Sequence, residues 1–196
     1  MRRIVVTEFM SIDGVIEDPG GSEGSPHGGW AFKFESGDEG NKFKLDETLA
    51  ADGLLLGRIT YEGFAKAWPT IEDEAGFADK MNGMPKYVAS STLTDPEWNN
   101  SQVIEGDVAE AAAALKEEDG GDLLVAGSGQ LARTLFEHDL VDEVRLMIYP
   151  VVLGGGKRLF EEGTKMTAFE LAESRPVGDD GVVLLVYRPR DEAEAA

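Results

Sequence analysis

Cysteine is absent from the 196-residue chain. That excludes disulfides, thiol nucleophiles, iron–sulfur clusters and thiolate zinc sites. Histidine is nearly absent as well: His27 and His138 are the only two, far apart in sequence. A histidine-rich metal centre is therefore excluded, and no metal site is expected. Basic residues are scarce, 18 against 38 acidic ones, for a formal net charge of −20. So negative a surface repels nucleic-acid phosphates and anionic lipid headgroups, and neither nucleic acid nor membrane is an expected partner. The same charge also reads simply as solubility in a salt-rich or acid-biased proteome. Long apolar runs are missing too. Ile4-Val5-Val6 follows Met1-Arg2-Arg3, but Glu8 and Asp13 interrupt the stretch. A signal peptide needs an apolar run of about 7–15 residues, and a membrane-spanning helix about 20. The chain reads as cytoplasmic.

What is present suits one globular α/β domain with a core that needs no covalent staples: 42% hydrophobic and 29% charged residues at a length that hides most of its extended surface. β-Branched and aromatic residues predict a strand over 3–10. The segment 18–29 is rich in Gly and Pro and reads as either a functional flap or a disordered loop. A helix is expected over 38–51, a short buried strand at 53–57, a helix over 60–66, and strands at 86–90 and 102–105. Asp107 and Glu110 have capping-box spacing before an alanine-rich helix that stops near 119–121. A strand at 122–126 follows, then a helix capped by Ser128 and running to about His138. Strands are expected at 144–152, 167–175 and 181–188, the last two joined by a turn at Gly178-Asp179-Asp180-Gly181, with 189–196 a frayed tail. Strands alternate with helices through residue 138, and strands dominate afterwards. That order implies three layers: a mixed, mostly parallel central sheet, helices on both faces, and an antiparallel C-terminal edge.

Open α/β sheets bind ligands beyond the carboxyl ends of their strands. Three such ends carry glycine or hydroxyl residues. Gly57-Arg58-Ile59-Thr60 offers a close backbone turn, a guanidinium suited to phosphate, and Thr60 as the cap of the next helix. It also reads as an ordinary helix start beside a surface arginine. Gly127-Ser128-Gly129-Gln130-Leu131-Ala132 matches G-x-G-x-x-A between strand and helix, as a pyrophosphate cradle does. The acid that a standard Rossmann domain places about 20 residues on is replaced by Tyr149 and Pro150. Ser90-Ser91-Thr92 offers hydroxyls for a phosphate or ribose, or is a plain turn. Together the three ends suggest an anionic nucleotide spread across adjacent strands.

These segments carry a family resemblance. Ser11-Ile12-Asp13-Gly14, Leu55-Leu56-Gly57-Arg58-Ile59-Thr60-Tyr61-Glu62, Val125-Ala126-Gly127-Ser128-Gly129-Gln130-Leu131, and Asp142-Glu143-Val144-Arg145-Leu146 running into Pro150–Phe160 occur in order. The chain resembles the dihydrofolate-reductase-like reductases of the RibD C-terminal domain family over about residues 3–188. The resemblance implies a single dihydrofolate reductase-like domain over 1–188, a homodimer, NADPH as cofactor and a stand-alone reductase. The deaminase often fused to such domains requires cysteines that are missing here. It also implies Gly57, Arg58 and Thr60 near the cofactor phosphates, and Ser90 and Ser91 toward the adenosine 2′-phosphate. Gly127, Ser128, Gly129, Gln130 and Leu131 would hold the pyrophosphate. Related reductases have a cis peptide between two glycines in that loop; here the second is Ser128, whose side chain makes such a bond costly.

On the substrate side Asp13 is the expected catalytic acid and substrate contact, Trp30 a floor for a planar substrate, and Tyr149 and Gly154 the closure of the nicotinamide side. Asp13 also reads as a turn residue in Asp-Gly, and Trp30 as core. The pterin-binding acid of dihydrofolate reductases falls on Asn41, with Asp38, Glu39 and Glu47 out of register. The implied activity is NADPH-dependent reduction of a small heterocycle or a ribosylamino-pyrimidine, resembling the 5-amino-6-(5-phosphoribosylamino)uracil reductase step of riboflavin synthesis. A dihydrofolate reductase, or a non-catalytic nucleotide-binding protein of the same fold, is the alternative.

Overall fold

The apolar N-terminal segment forms β1 (Ile4–Ser11) and takes a central place in the sheet, where both of its faces are covered. The other elements, in chain order, are α1 (Gly37–Ala50), β2 (Ala51–Gly57), α2 (Arg58–Ala67), α3 (Phe77–Gly83), β3 (Lys86–Ala89), β4 (Ser101–Val103), α4 (Val108–Glu117), β5 (Asp122–Ala126), α5 (Gly129–Glu137), β6 (Glu143–Tyr149), β7 (Phe169–Val177) and β8 (Val182–Pro189). In this computed structural model, which describes residues 1–190, all eight strands join one sheet in the order β4-β3-β2-β5-β1-β6-β8-β7. The first six strands in that order pair in parallel. β8 and β7 add an antiparallel hairpin at the far edge.

Strand alternation sorts the side chains of β1 onto two faces. Ile4 and Val6 join Leu131, Leu135, Phe136 and Ala112 on the side covered by α4 and α5. Val5 packs with Leu54, Leu56, Tyr61 and Met81 on the side of α2 and α3. Phe9 and Phe43 join Trp30, Tyr149 and Leu184 in a third cluster, toward α1 and the hairpin. The expected three-layer α/β architecture, with its mixed and mostly parallel sheet, is the one observed.

Local departures have identifiable causes. The helix α3 was not expected; it is short, and its first amides are held from a distance by Asp73, whose carboxylate accepts from the Phe77 and Ala78 N–H groups at 3.0 and 2.6 Å. The strand expected to reach 152 ends at Tyr149. Pro150 has no N–H for the ladder, and the Val151 N–H turns back to the Tyr149 carbonyl at 2.8 Å. Asp107 caps α4 as expected, accepting from the Glu110 N–H at 2.9 Å. The tail expected from 189 starts later: Pro189 belongs to β8 and the Arg190 N–H donates to the Ala168 carbonyl at 2.9 Å. Residues 191–196 lie outside the described residues.

The loop at 18–29 is neither helix nor strand, and it is built around one side chain. Asp18 is buried, and its carboxylate accepts from the Glu23 and Ser25 N–H groups at 2.9 and 3.0 Å. Its carbonyl accepts from Gly21 and Gly29. No helix of the described residues is long and apolar enough to cross a membrane.

Candidate active site

Parallel pairing sends the carboxyl ends of β3, β2, β5, β1 and β6 to one edge of the sheet. Gly57 lies opposite Ala89, and Thr7 opposite both Ala126 and Arg145. The three glycine- or hydroxyl-bearing turns read from the sequence therefore stand side by side.

Two of them are tied together. The Gly57 N–H donates to Ser128 Oγ at 2.9 Å, and the Ser128 N–H donates to Thr60 Oγ1 at 3.1 Å. Ser128 Oγ in turn donates to the Ala126 carbonyl at 3.0 Å. These bonds correct two expectations. Thr60 does not cap α2, which begins at Arg58 with Gly57 at its cap position. Ser128 stands at the cap position of α5 but makes no capping bond with its side chain. Both hydroxyls cross-brace the turns, because β2 and β5 end close enough for each to reach the other's backbone.

Gly127 and Ser128 both adopt left-handed conformations, φ +57° and +61°. No peptide bond among the described residues is cis. The amides of Gly57 and Ser128 are thus already occupied. The first-turn N–H groups of α2 and α5, which have no intrahelical partner by geometry, supply what remains. Gln130 is exposed, whereas the Leu131 side chain is core, so only the Leu131 backbone faces the turn. Arg58 is half exposed, and its Nη1 bonds Glu62 one turn on at 3.0 Å. At the end of β3, Ser90 Oγ accepts from the Thr92 and Leu93 N–H groups at 3.2 and 2.9 Å, a turn-stabilising role; Ser91 is exposed.

The substrate-side expectations are corrected more heavily. Asp13 accepts from Ser11 Oγ at 2.7 Å and from the Leu153 and Gly154 N–H groups at 3.1 and 2.9 Å, and Arg158 Nη2 lies 3.5 Å away. The Ser11 hydroxyl and the two amides hold its pKa down to about 2. A carboxylate so stabilised carries no proton near neutrality and is no proton donor; Asp13 clasps the 153–158 loop. Gly154, at φ +77°, belongs to that clasp. Trp30 is 1% exposed, with its ring nitrogen bonded to the Glu17 carbonyl at 2.8 Å, so it is core and no floor for a ligand. Tyr149 is 3% exposed among Phe9, Trp30 and Phe34, and burial pushes its phenol up to about 12. A cavity of about 220 Å³ lies beyond the clasp, between Ser25–His27 and Leu153, Gly155 and Gly156.

The structure also brings forward residues that sequence reading did not select. On the α1 side of β1, Thr7 Oγ1 donates to Glu47 at 3.0 Å and accepts from Lys44 Nζ at 3.0 Å. Lys44 also ion-pairs with Glu47, and its ammonium lies 5.2 Å from the Phe9 ring centre. Arg145 reaches Glu47 at 3.3 Å. The buried acid of the first helix is thus Glu47, while Asn41 is exposed and accepts from Ser36 Oγ at 3.4 Å. Helix periodicity is a poor guide here, because α1 presents charged side chains to the sheet. Glu8, 4% exposed on β1, is the other omission. Its signal was the one charged residue in a central strand, Ile4–Ser11.

The fold is that of the dihydrofolate reductase-like α/β proteins. A putative riboflavin biosynthesis protein from Shewanella sp. PV-4 superimposes with a TM-score of 0.75 at 21% identity, covering 96% of this chain and 99% of that one. Dihydrofolate reductase from Enterococcus faecalis, complexed with NADP(H) and RAB-propyl, gives a TM-score of 0.61 at 16% identity over 96% of this chain and 97% of that one. The chain belongs to the RibD C-terminal domain family, whose model matches residues 2–183. Protein YyaP of Bacillus subtilis (strain 168) is 30% identical over 189 residues, 95% of this chain and 94% of that protein.

Proposed function

We infer that the protein is an NADPH-dependent reductase of a small heterocyclic or ribosylamino-pyrimidine substrate. One observation carries this reading: the turns after β2 and β5 are braced into a single cradle, with the first-turn amides of α2 and α5 at its rim. The donor set fits an anionic dinucleotide. The segments 57–60 and 127–131 contain no acidic side chain and one arginine, and helix N-termini favour negative charge. In a protein of net charge −20, that local field is what a polyanion needs.

A bound nicotinamide supplies the hydride. The chain's own residues do the rest. The cradle orients the phosphates, and Arg58 meets a phosphate once released from Glu62. Thr7, Phe9 and Lys44 line the α1 side of the β1 end. The Glu47 carboxylate is already held by Lys44, Thr7 and Arg145. It is not available to a protonated pterin ring, which favours a non-folate substrate over dihydrofolate.

Titration with NADPH and NADH, followed by nicotinamide fluorescence, tests the reading. NADPH binds more tightly, and Arg58→Ala weakens NADPH more than NADH. Failure of both cofactors to bind at millimolar concentration refutes the reading. Cofactor binding without oxidation across ribosylamino-pyrimidines, pterins and dihydrofolate selects the non-catalytic alternative.

A further inference from the structure

Glu8 lies at the point where β1 loses its partner on one side. The last rung to β5 joins Thr7 and Ala126. One residue later the neighbour on that side is the Gly127 turn, while β6 continues the sheet with Leu146 opposite Glu8. Alternation turns the Glu8 side chain to the face of Ile4 and Val6, the side covered by α5. It is 4% exposed, and its Oε1 has no hydrogen-bond partner among the described residues. An ionised carboxylate in such a place is costly, and a neutral carboxyl is much less so.

The charged groups that act on Glu8 are few. Lys44 of α1 acts from the opposite face, where Thr7 and Glu47 hold it, and Glu23 acts from the 18–29 loop, where Lys157 lies 3.7 Å from it. The β5–α5 turn contributes the Gly127 backbone N–H, and β6 contributes an apolar leucine. Burial dominates and raises the pKa well above the usual carboxylate range; Lys44 and the Gly127 amide pull it down, and Glu23 adds to the rise.

We propose that Glu8 is a positioning residue of the dinucleotide cradle, whose carboxyl must hold its proton for anionic groups to bind at the Gly127–Leu131 turn. The reason is electrostatic. An ionised Glu8 draws the Gly127 amide inward and places a negative charge behind the turn, in a medium that screens poorly. A neutral Glu8 leaves the N-terminus of α5 free to attract phosphate. Binding of the dinucleotide and retention of the proton are then linked, and each favours the other by the same factor. This rests on the dinucleotide reading above.

The test is isothermal titration calorimetry with NADPH, over the pH range in which the protein stays folded, in buffers of different ionisation enthalpy. It compares the wild type with Glu8→Gln, which keeps the shape and cannot ionise. As pH rises through the Glu8 titration, the wild-type Kd weakens by up to about tenfold per pH unit, the limit for one linked proton, and proton uptake accompanies binding. Glu8→Gln gives a flat profile and loses that uptake. Equal pH slopes in the two proteins overturn the proposal and leave the cofactor reading standing. No NADPH binding by the wild type overturns both. Infrared spectra of wild type labelled with carbon-13 at glutamate carboxyls keep the proposal falsifiable if Glu8→Gln fails to fold. A glutamate carboxyl that keeps its proton above the usual carboxylate range supports it, and the absence of one overturns it.

Discussion

Gly127→Ala is the sharpest probe of the braced cradle. Gly127 has φ +57°, and an added Cβ meets Thr60 Oγ1 at 3.0 Å and Cγ2 at 3.3 Å. A left-handed backbone costs a residue with a side chain roughly 1–2 kcal/mol. Part of that, about 0.4–1 kcal/mol, is offset because alanine restricts the unfolded chain more than glycine does. The second contribution is local: to relieve the contact Thr60 must shift, which breaks or weakens the bond it accepts from the Ser128 N–H, a loss of about 1 kcal/mol. The sum is about 2 kcal/mol. In a chain of this size that lowers the Tm by roughly 4–8 °C.

A double-mutant cycle separates the two parts by thermal unfolding. Thr60→Ala removes Oγ1 and Cγ2 and leaves only the Thr60 Cβ, 3.8 Å away and in ordinary contact. The steric part of the Gly127→Ala penalty therefore disappears in the double variant, a favourable coupling of about 1 kcal/mol, while the backbone part persists. A neutral Gly127→Ala, or a coupling of zero, refutes the view that these turns are packed against one another through Thr60.

Two further outcomes follow from other residues. Asp13 is held at about 2 against an ordinary 3.8, so its clasp stabilises the fold above the ordinary value and is lost as pH falls from there toward 2. Asp13→Asn lowers the Tm at neutral pH, and its difference from wild type shrinks over that acid window; a difference that stays constant down to pH 2 rejects the clasp. Lys86 is fully buried, with Nζ on the Asn82 and Asn99 carbonyls at 2.7 and 2.9 Å and 4.1 Å from the Trp98 ring centre. Lys86→Met removes the donor of the Asn99 carbonyl, while the Asn82 carbonyl keeps Asn99 Nδ2 at 3.3 Å, and destabilises the protein by about 1–3 kcal/mol in chemical denaturation; a change below about 0.5 kcal/mol, the range of ordinary surface substitutions, rejects that role.

The order of elements was legible in the residues. β-Branched runs bounded by glycine, the Asp107 cap and the Gly178–Gly181 turn are local signals, and local signals survive translation into structure. The G-x-G-x-x-A turn and the Gly57-Arg58 segment were legible as strand-end features for the same reason. The short helix α3 was not, because its cap, Asp73, stands outside the usual spacing. Roles that depend on distant partners were misread. Asp13 looked like a free acid, but the two amides that hold it lie in the 153–154 loop. Tyr149 looked available, and Trp30 read either as a floor or as core; the two pack against each other at 5.4 Å, which bears out the core reading of Trp30. Glu47 looked out of register, since a helix period says which face a residue occupies and not what lies across from it.

The sequence by itself therefore determined an alternating α/β chain with phosphate-suited turns after its strands, because propensity, capping and periodicity act over a few residues. Only the tertiary structure decided that those turns meet and that Thr60 and Ser128 brace them. It also decided that Asp13 is spent on a loop and that Glu8, beside the Gly127 turn, is buried with its Oε1 lacking a partner among the described residues. Hydrogen-bond partners and burial are set by strands that pair across a hundred residues or more, and no local pattern records them.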